Sequence, residues 1–193
     1  MDLRELATNQ AVASYGRIAL IEAPTLNERR LLCQLMQDEE IWQKLAMESP
    51  PKPGRFNLAF ENGYYDAYFI RYEPSSHISG FILLHTGRRK REGIVEVDIA
   101  VTDRAVRQKN IAVEACLALF HQTLDKGYCH TLWAWLDKEN APSAGLIRSL
   151  GVTVVEQSEK GQTAYGEVET IEVRLTLEEW QALKASRNLT FED

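Results

Sequence analysis

Apolar positions along this chain switch repeatedly between a period of two and a period near 3.6, the spacings of a half-buried strand and of an amphipathic helix. RIALIEA (Arg17–Ala23) predicts a strand. LNERRLLCQLM and DEEIWQKLAM predict two short helices, with Leu31, Leu35 and Met36 on one stripe and Ile41, Trp42 and Leu45 on another. Ser49–Asn57 holds three prolines and a glycine and reads as neither helix nor central strand. YDAYFIRY and HISGFILLHTG are β-rich, and GRRKREG (Gly87–Gly93) joins the second to IVEVDIAVT as a solvated hairpin tip. Val113, Leu117, Phe120 and Leu124 then recur at helical spacing, so a helix beginning near Arg107–Asn110 packs one face on a sheet. HTLWAWLD is a further strand whose Trp133 and Trp135 share a face and are expected in the core. APSAGLIRSLG predicts a short helix stopped by Gly151. VTVVEQ and VETIEVRL are the last strands, and TLEEWQALKAS is a final helix opened by a capping box of Thr176 and Glu179.

The order β–αα–ββ–β–α–β–α–β–β–α describes one α/β domain spanning 1–193, with 1–14 as an N-terminal extension and 176–193 as a C-terminal helix and tail. That length is enough to bury a single core. The net charge of −6 weighs against nucleic-acid binding and suits a cationic substrate. No apolar run reaches the roughly 18 residues a membrane span needs, and the opening MDLRELATNQ is polar, so a cytoplasmic protein is expected. Cys33, Cys116 and Cys129 fall inside periodic segments and are expected as buried free thiols. The four histidines lack metal-ligand spacing, and no metal is expected. Phosphate-loop and nucleophile-elbow patterns are missing, and no triad is apparent.

Candidate chemistry concentrates in VTDRAVRQKNIAVEACLALF (Val101–Phe120). It runs from the end of a strand into a helix, whose first N–H groups and dipole form an anion site needing no particular side chain. Turns that hold phosphate usually contain glycine, and this one has none. Asparagine is among the few other residues that tolerate positive φ, so Asn110 is expected to stand in for glycine, with Arg107 and Lys109 adding positive charge. In VEVDIAV, alternation puts Glu96 and Asp98 on one face and Val95, Val97, Ile99 and Val101 on the other. Such a pair suits a general base and equally suits the solvated face of an antiparallel strand.

These segments together resemble the GNAT superfamily of N-acetyltransferases, nearest to the ribosomal-protein N-terminal acetyltransferase type. The family's pyrophosphate loop, Arg/Gln-x-x-Gly-x-Gly/Ala, is matched by Arg107-Gln108-Lys109-Asn110-Ile111-Ala112 with the middle glycine replaced. Its Asn-x-x-Ser-x-x-Leu/Val-x-x-x-x-Gly pattern is matched by Asn140, Ser143, Leu146 and Gly151. The likeness covers about residues 15 to 175. It implies a mixed, mostly antiparallel sheet flanked by helices, with acetyl-CoA as co-substrate. Cofactor contacts are implied at Ala100, Val101, Arg107 through Ala112, Asn140 and Ser143. Glu96 or Asp98 would be the base, and Ser143 or water would supply a proton to the thiolate. The tyrosine many family members carry four residues after the serine is Ile147 here. A thiol pKa near 8.5 makes the thiolate a good leaving group without it. The acceptor is expected to be a small amine or a protein N-terminal amine, and the protein a monomer or homodimer. A second class stays open, a GNAT-fold binding or regulatory module that has lost catalysis.

Overall fold

The computed structural model describes residues 3–45, 47, 49–87, 92–163 and 166–191. The predicted hairpin tip Arg88–Arg91 lies outside them. Among the described residues eight strands form one sheet: β1 (Ala13–Tyr15), β2 (Ile18–Glu22), β3 (Tyr65–Tyr72), β4 (His77–His85), β5 (Ile94–Val101), β6 (Thr131–Asp137), β7 (Thr153–Thr163) and β8 (Gly166–Thr176). Their spatial order is β1-β2-β3-β4-β5-β6-β8-β7. Every pairing is antiparallel except β5 with β6. Parallel neighbours need a crossover, and α5 (Ile111–Phe120) supplies it. The other helices are α1 (Leu3–Leu6), α2 (Leu26–Leu35), α3 (Glu39–Lys44), α4 (Pro53–Glu61), α6 (Ala141–Leu150) and α7 (Leu177–Arg187). The expected α/β class with a mixed, mostly antiparallel sheet is the one observed.

Strand alternation divides the core between the two sheet faces. One face carries Leu20, Ile70, Ile82, Leu84, Val95 and Leu132 under α5 and Trp180 of α7. The other carries Ile21, Phe69, Phe81 and Leu83 under α1, α2 and α4, through Leu6, Leu32 and Phe56. The N-terminal extension therefore packs into the domain, since Leu6 is fully buried. Helix α5 is apolar nearly all round because strands lie beneath it and α6 beside it. The Val113–Leu124 periodicity continues past Phe120 through a π-helical turn, His121–Asp125.

Two expectations fail. Ser49–Asn57 is not a loop throughout, because α4 starts at Pro53. Proline at the first helical position forgoes an N–H that has no intrahelical acceptor anyway. Phe56 and Phe60, four apart, bury the inner face. Trp133 and Trp135 are half-buried rather than core. They point away from Leu132 and Leu136, on the same face as Glu96, whose Cα pairs with that of Trp133. The capping box at Thr176 and Glu179 is present, and a second one, unforeseen, opens α2 at Thr25 and Glu28. Cys33, Cys116 and Cys129 are buried free thiols, and burial pushes Cys116 up to about 12.

Candidate active site

The parallel ladder between β5 and β6 holds for only three pairs, ending at Glu96 with Trp133. Beyond that row the strands diverge, and Val97–Val101 stay paired only to β4. A cavity of about 590 Å³ opens at the fork. Ile99, Ala100 and Val101 line one wall, Arg107, Gln108 and Asn110–Val113 the next, and Asn140, Ser143 and Leu146 of α6 a third. Ile41, Lys44 and Leu45 of α3 and the turn after it complete the lining. Nearly all the residues expected at a cofactor site thus share one cavity. Lys109 is the exception, exposed and outside the lining.

The loop into α5 has the backbone its sequence suggests. Asn110 is the N-cap of α5 at φ 62°, ψ 14°, in the left-handed region that favours glycine, and Gln108 also has positive φ at 63°. The first intrahelical bond runs from the Glu114 N–H to the Asn110 carbonyl at 3.0 Å. The N–H groups of Ile111, Ala112 and Val113 therefore stay outside the ladder, at the cavity wall. Arg17, in the turn between β1 and β2, sets this end of the helix. Its guanidinium donates to Glu114 Oε1 at 2.5 Å and to the Lys109 carbonyl at 2.5 Å. Gly16 beside it has φ +59°, and a Cβ there would sit 2.7 Å from Glu114 Oε2.

Arg107 does not stand free beside the cavity. Its Nε donates to the Val101 carbonyl at 3.0 Å and its guanidinium binds Glu40 of α3 at 2.5 Å. Glu40 also takes Lys44 at 2.7 Å and Arg104 at 2.7 Å. Hydrogen bonds from Lys44, then Arg107, hold the Glu40 carboxyl at about 2. Its pKa is depressed, so the tie it makes is complete above the ordinary glutamate range near 4.3 and is lost as pH falls toward about 2. Nothing in the sequence marked Glu40, because its partners lie 64 and 67 residues away. If the cavity takes acetyl-CoA, as the resemblance implies, Glu40→Gln should tighten its binding about two- to fivefold at low salt, because Lys44 and Arg107, both in the lining, lose a competing anion. Titration calorimetry at two ionic strengths checks this. Weaker binding would mean that Glu40 orders the loop instead.

Asn140 caps α6 by accepting from the Ser143 N–H at 3.2 Å, so both have a structural task besides lining the cavity. Ile147 faces away, into a separate apolar groove with Leu136 and Val173. Glu96 and Asp98 do not line the cavity. They project from the opposite face of β5 to Val95, beside the row where the fork begins. Asp98 Oδ2 lies 2.7 Å from His85 Nε2 on β4. In the sequence His85 is one of four histidines without metal spacing, and a strand-end histidine carries no further local signal. The pattern that locates it is cross-strand register, His85 opposite Glu96. Among the described residues no group of three or more His, Cys, Asp or Glu is placed to hold a metal ion. No described helix is long and apolar enough to cross a membrane.

No curated protein matches the chain in sequence. Solved structures with the same fold include RimL, a ribosomal L7/L12 α-N-protein acetyltransferase in complex with coenzyme A. It is 12% identical with a TM-score of 0.68, over 88% of this chain and 99% of that one. The spermidine N-acetyltransferase from Vibrio cholerae, in complex with CoA and spermine, has a TM-score of 0.71 at 12% identity, over 86% and 98%. The microcin C7 self-immunity acetyltransferase MccE, in complex with acetyl-CoA and AMP, has 0.65 at 16%, over 83% and 92%. The acetyltransferase (GNAT) domain family matches residues 17–153, most of the chain, and the protein belongs to that family.

Proposed function

We propose that this protein transfers an acetyl group from acetyl-CoA to a primary amine by direct attack on the thioester, with a protein N-terminal amine as the favoured acceptor. The observation that carries the proposal is the cavity at the β5–β6 fork, where a left-handed Asn110, the open N–H groups of α5 and the Asn140–Ser143 segment meet. The residues fit the co-substrate. Ile111, Ala112 and Val113 would hold the pyrophosphate on backbone N–H groups, helped by the helix dipole. The edge of β5 at Ala100 and Val101, unpaired on the β6 side, would take the pantetheine arm. The acetyl thioester supplies an activated carbonyl and a good leaving group. This chain's residues supply alignment and the removal of a proton from the amine. Ser143, in the cavity lining, would return a proton to the departing thiolate. An α-amine, with pKa about 7.7–8.0, needs a weaker base than a lysine near 10.4, which favours the N-terminal acceptor. RimL acts on a protein α-amine and the Vibrio enzyme on spermidine, so neighbours of this fold include both acceptor kinds.

Calorimetry with acetyl-CoA, followed by labelled transfer to a panel of peptides, polyamines and lysine side chains, tests this. Absence of binding at millimolar acetyl-CoA would sink it, and transfer confined to lysine side chains would remove the preferred acceptor. The glycine-free loop and the engagement of Arg107 by Glu40 favour a second reading, a coenzyme A-binding module without catalysis. Binding without transfer to any amine would select it.

The loop gives its own prediction. Asn110→Gly should keep or tighten acetyl-CoA affinity, because glycine reaches φ near +60° without strain. Asn110→Val should weaken it about tenfold, since left-handed backbone costs an ordinary side chain about 1–2 kcal/mol and a β-branched one resists it most. Lys109→Ala should cost at most about 1 kcal/mol, as its exposed charge is screened. Affinities of the three variants, measured side by side, decide the matter. Valine binding as well as asparagine would mean that the cofactor does not need this backbone.

A further inference from the structure

Register carries a row of polar and aromatic side chains straight across the sheet face opposite α5. Tyr65 of β3 pairs with His85 of β4, His85 with Glu96 of β5, and Glu96 with Trp133 of β6. Asp98, two residues beyond Glu96 on the same face, reaches back to His85. The row ends at the fork where β5 and β6 part, which is where the acetyl group would emerge onto this face.

His85 is held on two sides. Tyr65 meets its ring edge-on, centroids 5.0 Å apart at 81°, and is itself backed by Phe56 and Phe60 of α4. Asp98 Oδ2 takes Nε2 at 2.7 Å. A carboxylate only accepts, so this bond fixes the hydrogen of neutral His85 on Nε2 and leaves the Nδ1 lone pair open. Nδ1 has no hydrogen-bond partner among the described residues. The two side chains retain 28% and 22% of their surface, open enough for an amine to approach and enclosed enough to keep their geometry.

From this the geometry points to His85, oriented by Asp98, as the proton acceptor for the incoming amine, with Glu96 beside it drawing the ammonium group in. The inference rests on the acetyl-transfer reading and deepens it, because it moves the base from the β5 carboxylates to the imidazole that one of them orients. In the step, the acceptor ammonium gives one proton to His85 Nδ1, and the freed lone pair forms the C–N bond. The C–S bond breaks, a second nitrogen proton leaves with the thiolate as thiol, and the amide keeps the third. His85 then releases its proton to solvent.

The titratable and charged groups facing His85 are Tyr65 on β3 and Glu96 and Asp98 on β5. Burial opposes protonation of His85, and the Asp98 hydrogen bond and charge, joined by the charge of Glu96, outweigh it, so its pKa is raised. A base works unprotonated, so activity should fall as pH drops through that raised pKa. Removing Asp98 should carry this limb to lower pH.

The test pairs a structural readout with a kinetic one. The His85 Cε1–H resonance, assigned by its loss in His85→Ala, is titrated by NMR in wild type and Asp98→Asn, and kcat/KM is measured across the same pH range. Expected are an imidazole pKa that falls in Asp98→Asn, an acid limb that falls with it, and a loss of about 10²-fold in His85→Ala. Added imidazole should partly restore His85→Ala, and calorimetric acetyl-CoA affinity should stay at the wild-type value. An acid limb indifferent to Asp98→Asn, or His85→Ala with full activity, overturns the inference while acetyl transfer stands. A wild-type protein that binds acetyl-CoA and acetylates no amine overturns acetyl transfer and this inference together.

Discussion

Replacing both carboxylates of β5, as Glu96→Gln with Asp98→Asn, is expected to lower turnover by about 10²-fold or more and to leave acetyl-CoA affinity within about twofold. The asymmetry follows from where they stand. Neither lines the cavity, so the pyrophosphate and pantetheine contacts have no reason to change. Both lie beside the point where β5 and β6 separate, on the face an acceptor would approach. Removing them takes away the local negative potential that gathers an ammonium group, and it puts a neutral amide where His85 has a carboxylate partner. A loss of 10²-fold is about 2.7 kcal/mol of transition-state stabilisation, far beyond what two solvated surface charges supply. Initial rates at saturating acetyl-CoA, with calorimetric affinity alongside, separate turnover from binding. A double variant that turns over normally would leave these side chains as the outer face of an antiparallel strand.

Most of what positions this site was legible in local pattern. The loop from Arg107 to Ala112 could be placed because a strand, a connector and a 3.6-periodic helix follow one another, and Asn110 could be singled out because few residues tolerate φ near +60°. Gln108 shares that conformation with φ 63° and gave no warning, since glutamine has no special preference for it. What escaped the sequence was long-range. Glu40 binds Arg107 across 67 positions, and His85 meets Asp98 only because the β4–β5 register brings two strands level. The tryptophans were misplaced for a related reason. Their shared face was correct, and whether that face is covered depends on helices contributed by other parts of the chain. Proline count misled at Ser49–Asn57, where the position of Pro53 at the helix start outweighs the number of prolines.

The second large effect comes from a residue outside the cavity. Gly80 of β4 pairs with Val101 of β5, next to a β-bulge at Ser79 that shifts register between Ile70 and Arg71. The bulge holds the exit of β5 in place, because the Ser79 carbonyl accepts from the Thr102 N–H at 2.8 Å and from the Asp103 N–H at 3.1 Å. A Cβ on Gly80 would collide with the Ala100 carbonyl oxygen and sit 3.0 Å from Val101 Cα. Both are backbone atoms, so no rotamer change relieves the clash, and β4 and β5 must move apart. Overpacking of this kind costs about 1–3 kcal/mol, or about 2–12 °C in Tm for a domain of this size. Ala100 and Val101 line the cavity, so the shift reaches the site. Gly80→Ala should therefore lose at least about tenfold in acetyl-CoA affinity together with its stability. Gly54→Ala is the control, since that glycine lies in α4 with nothing within 4 Å of a Cβ, and alanine there should raise stability by about 0.4–1 kcal/mol. Thermal melts with and without acetyl-CoA read both quantities. If Gly80→Ala melts like the wild type and gains the same ligand-induced shift, the close approach of β4 to β5 does not set the geometry of the cofactor strand.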